Sequence, residues 1–433
     1  MDEFTIGLMG TGALLIMVFA GVRVFAAAAI VGMFGVIAII GWDAGAGIVG
    51  TVPHSKSVNY ALSVLPMFIL IGFIAYHAGL THALFNAAKA WFGWVPGGLA
   101  VASVFATAGF AAVSGASTAT AAVFSRVAIP HMLEHGYDRK LAAGVVAAGG
   151  TLASLIPPSA ILVIYAIIVE ESVGTLILAG FLPGIVSALI YATLIIGQCK
   201  INPDLGRPIK SPPRREQLAT LPGTFPIFAV VAIIFSAMYT GWATPTEAGA
   251  LGAFVVMVIA FARGMKWGQL ESALVETAKL TVMIFALIWG ILIFVRFLGF
   301  AGLPQAFAEW LITLPLPPTV VMIMILLGYA VLGMFMDAIG MLLLTLPVVY
   351  PAVIALGYDP IWFGIIVVKM CEVCLITPPV GLNCYVVAAV RPDIPLGDVF
   401  KGITPFFIAD AVTIGLFLAF PGIITWLPNL VNS

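Results

Sequence analysis

Ser154-Leu-Ile-Pro-Pro-Ser159 interrupts one apolar stretch of the chain and Leu375-Ile-Thr-Pro-Pro-Val380 interrupts another; the leading prolines, Pro157 and Pro378, are 378 − 157 = 221 positions apart. A proline inside a helix removes a backbone donor and displaces the carbonyl one turn earlier. Two in succession leave several carbonyls without helical partners. Lipid cannot satisfy them, so such backbone persists only where it faces protein, water or an ion. A matched pair of broken helices in the two halves of a chain points to a transporter's binding region.

The composition supplies the membrane. Of 433 residues, 62% are hydrophobic and 9% charged, and the mean hydropathy is +1.17. Soluble domains carry about 25% charged residues, so the chain reads as an all-α polytopic membrane protein. A net charge of −1 says nothing about nucleic acid, and no basic arm occurs, so no nucleic-acid partner is expected. Met1 to Thr5 carries Asp2 and Glu3, whereas the n-region of a cleavable signal is basic, so no such signal is expected.

Catalytic patterns do not emerge. Cys371 and Cys374 have CxxC spacing, with Cys199 and Cys384 elsewhere, but no nearby histidine completes a four-ligand zinc set; the cysteines read as packing residues. His54, His77, His82, His131 and His135 are scattered, and no HExxH, GxSxG or P-loop pattern occurs. No catalytic residue, resident metal or cofactor is expected. An intramembrane enzyme would need a paired nucleophile and base or clustered carboxylates, and Asp337, Glu372 and Asp410 lack the spacing. A channel would need a repeated pore-lining ring, which is also missing.

A crossing helix needs about 20 apolar residues. Ten spans are expected, near 5–20, 26–40, 60–77, 141–170, 175–197, 225–241, 246–262, 278–298, 361–390 and 405–425. Two further apolar regions, 95–134 and 315–356, are interrupted midway by small or polar residues and read as re-entrant hairpins. Residues 79–94, with His82, Lys89, Trp91 and Trp94, read as an interfacial helix with a counterpart near 303–311 ending at Trp310. Basic residues cluster at 126–140, in the proline-rich loop 199–216 and at 263–266. These lie on one side by the span count, which the positive-inside rule makes cytoplasmic, with both termini outside. Thr244-Pro-Thr-Glu247 reads as a capping box opening the next span.

The repeat extends beyond the prolines. Ile129-Pro130 with Gly136-Tyr137-Asp138 recurs as Tyr350-Pro351 with Gly357-Tyr358-Asp359, again 350 − 129 = 221 apart. Ala78-Gly79-Leu80 resembles Ala301-Gly302-Leu303, 301 − 78 = 223 apart. The first Gly-Tyr-Asp is followed by Arg139-Lys140 and the second by Pro360-Ile361, and an odd number of crossings separates them. Both facts predict two inverted-topology repeats.

Each half also carries a candidate hairpin tip. Ser114, Gly115, Ser117, Thr118 and Thr120 cluster in the first; Gly333-Met-Phe-Met-Asp-Ala-Ile-Gly340 occupies the matching place in the second. Ser114 precedes Pro157 by 157 − 114 = 43 residues and Met336 precedes Pro378 by 378 − 336 = 42. Glycine permits tight reversal and close approach, and hydroxyls with freed carbonyls are neutral oxygen ligands suited to a hard monovalent cation; a small-residue packing seam is the competing reading. Asp337 sits at the second tip, where it could ligate a cation, bind a proton or pair with a base. Lys369 and Glu372, three apart, share a helix face; a structural ion pair is favoured over a substrate contact. The role of Asp410 stays open.

The combination of Gly149-Gly-Thr-Leu-Ala-Ser-Leu-Ile-Pro-Pro-Ser159, Ala179-Gly-Phe-Leu-Pro-Gly184, Ala243-Thr-Pro-Thr-Glu-Ala-Gly249 and Ile376-Thr-Pro-Pro-Val-Gly-Leu-Asn383 resembles the large membrane subunit of tripartite ATP-independent periplasmic (TRAP) transporters, nearly end to end. The resemblance implies a sodium-coupled elevator importer of an organic acid in a bacterial inner membrane. It implies a small four-helix membrane subunit, expected as a separate chain, and a periplasmic substrate-binding protein. It also implies sodium sites between Ser114, Gly115, Ser117 and Ile156, Pro157, Pro158, Ser159, and between Gly333, Asp337, Gly340 and Thr377, Pro378, Pro379, Gly381, largely through main-chain oxygens. Thr118, Asn383, Lys369 and Glu372 are the candidate substrate-proximal residues. The architecture expected is elevator-type and ion-transporter-like. It divides into scaffold at 1–94, first transport half at 95–198, basic loop at 199–224, scaffold at 225–314 and second transport half at 315–433. The alternative is a stand-alone cation/carboxylate symporter without a binding protein.

Overall fold

The computed structural model describes residues 2–57 and 60–432, all of whose regular structure is helical. Met1, where the reading of the N-terminal n-region begins, lies outside the described residues. The chain opens with α1 (Glu3–Phe19), α2 (Val24–Ile40) and α3 (Trp42–Ser57), then α4 (Val64–His77) and α5 (Leu80–Phe92). Four helices follow, α6 (Gly98–Ser114), α7 (Ser117–Glu134), α8 (Arg139–Thr151) and α9 (Ala160–Val169), and the long α10 (Val173–Ile201) closes this half. After the loop come α11 (Arg214–Tyr239), α12 (Pro245–Ala262), α13 (Trp267–Phe300) and α14 (Leu303–Thr313). The chain ends with α15 (Pro318–Gly333), α16 (Ala338–Ala355), α17 (Pro360–Cys374), α18 (Leu382–Val390), α19 (Leu396–Ala419) and α20 (Gly422–Asn432).

Among the described residues, six helices are long and apolar enough to cross a membrane, or seven if the pair α4 and α5, bent by 71°, counts as one span. That is fewer than the ten spans expected, for a length reason. Helices α1 and α2 have 17 residues each, about 25 Å at 1.5 Å per residue, and the proline breaks divide two other spans into shorter pieces. The hydropathy reading missed α3, whose Gly, His and Lys residues dilute its apolar character. It also placed the start of α13 at 278, because the first turns carry Gln269, Glu271 and Glu276. Residues 214–224, assigned to the basic loop, form the first turns of α11, with Pro222 and Pro226 accommodated inside that helix. The capping box is present: Thr244 N–H donates to Glu247 Oε2 at 2.8 Å, and Glu247 N–H donates to Thr244 Oγ1 at 3.4 Å. Large apolar side chains, including Phe19, Phe225, Trp242 and Leu327, face outward, as lipid solvation demands.

The order of a helix followed across a left-handed glycine by a short helix, an interrupted pair and a proline-broken pair occurs twice, as α4 to α9 and as α13 to α18. The two sets interlock. Helix α9 of the first packs on α16 and α17, while α18 of the second packs on α7 and α8. Asn383 Nδ2 in α18 donates to the Ala147 carbonyl of α8 at 3.2 Å. Between α8 and α19 the backbones touch: a Cβ on Gly144 would lie 2.3 Å from the Gly402 carbonyl oxygen. Helix α4 meets the first tip in the same manner, since a Cβ on Gly72 would lie 2.6 Å from Ser114 Cα.

The basic loop is irregular but pinned. Tyr137 donates to the Arg207 carbonyl at 2.9 Å and accepts from Leu99 N at 3.1 Å, and Asp138 N donates to the Leu205 carbonyl at 2.9 Å. Burial in this clasp pushes the Tyr137 phenol up to about 12.

Candidate functional site

Helix α6 stops at Ser114 because Gly115 turns into the left-handed region, φ 58°, and Ala116 follows in extended backbone as the cap of α7. A side chain at Gly115 would be blocked, since its Cβ would sit 2.5 Å from the Pro158 carbonyl oxygen. The tip therefore presses backbone to backbone on the break 43 residues later (157 − 114). Ser117 and Ser154 share a hydroxyl hydrogen bond at 2.5 Å, and Ser114 pairs with Thr120 at 2.8 Å. Helix α8 ends in a short 3₁₀ turn, Leu152–Ser154, the Pro157–Pro158 bond is cis, and Ser159 caps α9 by accepting from Leu162 N at 3.3 Å. Ser159 also donates to the Ser154 carbonyl. The result is a buried patch of hydroxyl and carbonyl oxygens from Ser114, Gly115, Ser117, Ser154, Pro158 and Ser159, without a carboxylate. Carbonyl and hydroxyl oxygens can replace the hydration shell of a monovalent cation, so the donor set fits sodium. Ile156 and Pro157 contribute by shape: Gly184 of α10 lies against Ile156, and Gly180 against the Leu155 carbonyl. Thr118 stays partly exposed just beyond the tip.

The second tip is built differently. Helix α15 ends at Gly333, pressed on Cys374 of α17, and Cys371 Sγ lies 3.5 Å from the Ala338 carbonyl. Asp337 caps α16, with Gly340 N donating to its Oδ2 at 3.0 Å. Past α17, Thr377 Oγ1 donates to the Val373 carbonyl at 2.6 Å, and the Pro378–Pro379 bond is cis. Gly381 has φ 44°, and a Cβ there would lie 3.2 Å from both the Ile376 and Thr377 carbonyl oxygens. Two break carbonyls thus approach a glycine of the break itself, whereas at the first tip one break carbonyl approaches a glycine of the tip. Asn383 N–H donates to the Leu375 carbonyl at 2.9 Å. This region is more open: Pro379 and Val380 are exposed.

Lys369 and Glu372 form the ion pair favoured from their spacing, at 2.7 Å. Sequence reasoning had not joined Asp410 and Tyr191 to it. Lys369 Nζ lies 2.9 Å from Asp410 Oδ1, which also accepts from Tyr191 at 2.7 Å. The group is enclosed, with exposures of 0% for Lys369 and Glu372 and 1% for Asp410, which removes Lys369 and Glu372 from direct reach of a substrate in this conformation.

A cavity of about 210 Å³ opens instead beside the first tip, between α4, α6, α7 and α13. Ser114 and Ala116 form its tip wall, Gly72 and Tyr76 face them, and Arg126 and Glu276 supply its charge. Glu276 is occupied by His77 at 3.2 Å; Arg126 has no ion-pair partner among the described residues. The sequence reading counted Arg126 only as a topological charge. The signal available was its place nine residues after the tip helix begins (126 − 117), two turns or more inside the apolar segment.

Residues 9–423 match the family profile described as "Tripartite ATP-independent periplasmic transporter, DctM component". The chain is 35% identical over 375 residues to the C4-dicarboxylate TRAP transporter large permease protein DctM of Pseudomonas aeruginosa, covering 86% of this chain and 87% of that one. It is 30% identical to the sialic acid TRAP transporter large permease protein SiaM of Vibrio cholerae (86% and 87% covered). It is 31% identical to the ectoine TRAP transporter large permease protein TeaC of Halomonas elongata (86% and 86%). Among solved structures, the YdaH transporter of Alcanivorax borkumensis superposes with a TM-score of 0.59 at 16% identity, over 88% of this chain and 89% of that one. The helical membrane fold, the profile and the relatives converge: this multi-pass membrane protein belongs to the DctM family, the large permease component of TRAP transporters.

Proposed function

We propose that this permease imports an organic acid handed over by a periplasmic binding protein, in company with a small membrane subunit, driven by sodium and by an elevator movement across a bacterial inner membrane. The observation that carries the reading is the oxygen-lined contact between the Ser114–Ser117 tip and the Pro157–Pro158 break, beside a cavity lined by Arg126, which has no ion-pair partner among the described residues. Neutral oxygens accept a monovalent cation, and an unpaired arginine offers bidentate hydrogen bonds to a carboxylate. Sodium is assigned to Ser114, Gly115, Ser117, Ile156, Pro157, Pro158 and Ser159. A second site is assigned to Gly333, Asp337, Gly340, Thr377, Pro378, Pro379 and Gly381. Family membership supports the two partners.

Residues 95–198 and 315–433 are the proposed moving unit, built from two inverted repeats, with 1–94 and 225–314 as scaffold and the basic loops cytoplasmic. The interlocking of α9 with α16 and of α18 with α7 and α8 supports a single rigid unit. The relatives' names span C4-dicarboxylate, sialic acid and ectoine, from which we draw a carboxylate-bearing solute for this chain. The test is uptake into proteoliposomes containing the permease, small subunit and binding protein, using succinate and N-acetylneuraminate as probes. An inward sodium gradient should accelerate accumulation of the accepted probe. Accumulation indifferent to that gradient would overturn the sodium assignment, and accumulation without the binding protein would overturn the tripartite one.

A further inference from the structure

The buried group around Lys369 contains one cation and two carboxylates. Lys369 Nζ reaches Glu372 Oε2 at 2.7 Å and Asp410 Oδ1 at 2.9 Å, and none of the three side chains is more than 1% exposed. Each carboxylate also has one buried oxygen, Glu372 Oε1 and Asp410 Oδ2, with no hydrogen-bond partner. With both acids ionised the group would hold an uncompensated negative charge inside a membrane protein. A buried group in that position takes up a proton rather than remain charged. We propose that this site binds one proton and that Glu372 carries it as a neutral carboxylic acid.

Two observations choose between the acids. Asp410 Oδ1 accepts a hydrogen bond from Tyr191 at 2.7 Å and also lies 2.9 Å from the Lys369 ammonium, whereas Glu372 has the Lys369 ammonium as its single partner. Donors favour the ionised form, so Asp410 is the better anion. Glu372 lies in the last turn of α17, which ends at Cys374, where the negative end of the helix dipole disfavours an anion. The proton belongs on Glu372 Oε1, the oxygen without a donor, leaving Oε2 to accept from Lys369. An unpaired neutral hydroxyl costs far less than an unpaired anionic oxygen.

Among the described residues, no other charged group enters the balance. Tyr191 comes from α10 and Asp410 from α19. Tyr329 of α15 and Asp337 of α16 bear on Cys371 and Cys374 instead, and Tyr165 of α9 donates to the Pro360 carbonyl at the far end of α17. A metal ion is a poor substitute for the proton, because the Lys369 ammonium already sits between the two carboxylates. The inference needs only the permease chain and does not rest on the transport reading.

The test is infrared spectroscopy of the purified permease in lipid, read at the carbonyl stretch of protonated carboxylic acids. Glu372→Gln should remove one such band. Asp410→Asn should remove it as well, because Lys369 and Glu372 then balance one to one and Glu372 ionises. Lys369→Met should double it, since both acids must then be neutral. Thermal melting assigns the proton to a residue: Glu372→Gln copies the neutral acid and should melt like the wild type, whereas Asp410→Asn should melt lower. A spectrum unchanged in all three variants would overturn the bound proton. Wild-type melting of Asp410→Asn with a destabilised Glu372→Gln would move the proton to Asp410 and overturn the assignment.

Discussion

Single side chains at the two tips have separable duties. Asp337 serves its own helix by accepting from Gly340 N, a capping role worth roughly 1 kcal/mol that asparagine performs equally well. Asp337→Asn therefore isolates the charge. If the carboxylate serves a cation or the coupling reaction, the variant should melt like the wild type and lose most sodium-driven uptake. Undiminished uptake would reduce Asp337 to a helix cap. Arg126 has a different signature, because it lines the cavity and has no ion-pair partner among the described residues. Loss of a hydrogen bond to an ionised partner costs about 1.5–3 kcal/mol, and every 1.4 kcal/mol is about tenfold in affinity. Arg126→Gln should thus raise the KM for the accepted acid by about 10- to 100-fold with little change in folded yield. Arg139→Gln is the control, since Arg139 is already held by Asp398 at 2.6 Å. An unchanged KM for Arg126→Gln would place the substrate carboxylate elsewhere.

At the scale of elements, breaks matter more than helices. The contact that closes the first tip on the first break is the approach of Gly115 to the Pro158 carbonyl. A left-handed backbone costs a residue with a Cβ about 1–2 kcal/mol, and here the added atom would also meet a carbonyl that cannot turn aside. Gly115→Ala should lower the melting temperature and abolish sodium-driven uptake together; wild-type melting would show that the tip does not close on the break. Such features were legible beforehand because proline pairs and glycines act through the backbone, and their effect does not depend on distant partners. Both breaks and both tips could be located on that basis, the short helices near 79–94 and 303–311 from their tryptophans, and the capping box from Thr244 and Glu247. Helix α3 was hidden because its residues are not apolar enough to register as a span. The early turns of α11 and α13 were hidden for the same reason, polar residues at the start of a long helix. The contact of Tyr191 with Asp410 bridges 410 − 191 = 219 positions, a separation that no local periodicity reports. Arg126 was visible but was assigned to topology, since a basic residue in an apolar helix carries the same letter whether it snorkels or lines a cavity.

For the whole molecule, the decisive question is which close backbone contacts travel together and which are exchanged. An elevator keeps contacts within its moving unit and remakes those between that unit and the scaffold. The Gly144–Gly402 seam joins α8 to α19, both within the proposed moving unit, whereas the Gly72–Ser114 approach joins scaffold helix α4 to the first tip. Added methyl groups would collide in both places, at 2.3 Å from the Gly402 carbonyl oxygen and at 2.6 Å from Ser114 Cα. Overpacking of this kind costs about 1–3 kcal/mol. At Gly144 the cost applies in every state of the cycle, so Gly144→Ala should lower the melting temperature and the yield of folded protein. On the proposed elevator, the cost at Gly72 applies only in the conformation described here. The population then moves toward the state in which the tip has left α4, by about tenfold for each 1.4 kcal/mol. Gly72→Ala should therefore keep a melting temperature near the wild type while slowing uptake, and a cysteine placed at the tip should change its rate of labelling from the two sides of the membrane. Equal destabilisation by both substitutions, with labelling unchanged, would mean that the α4 contact is permanent and that the two parts do not slide past each other.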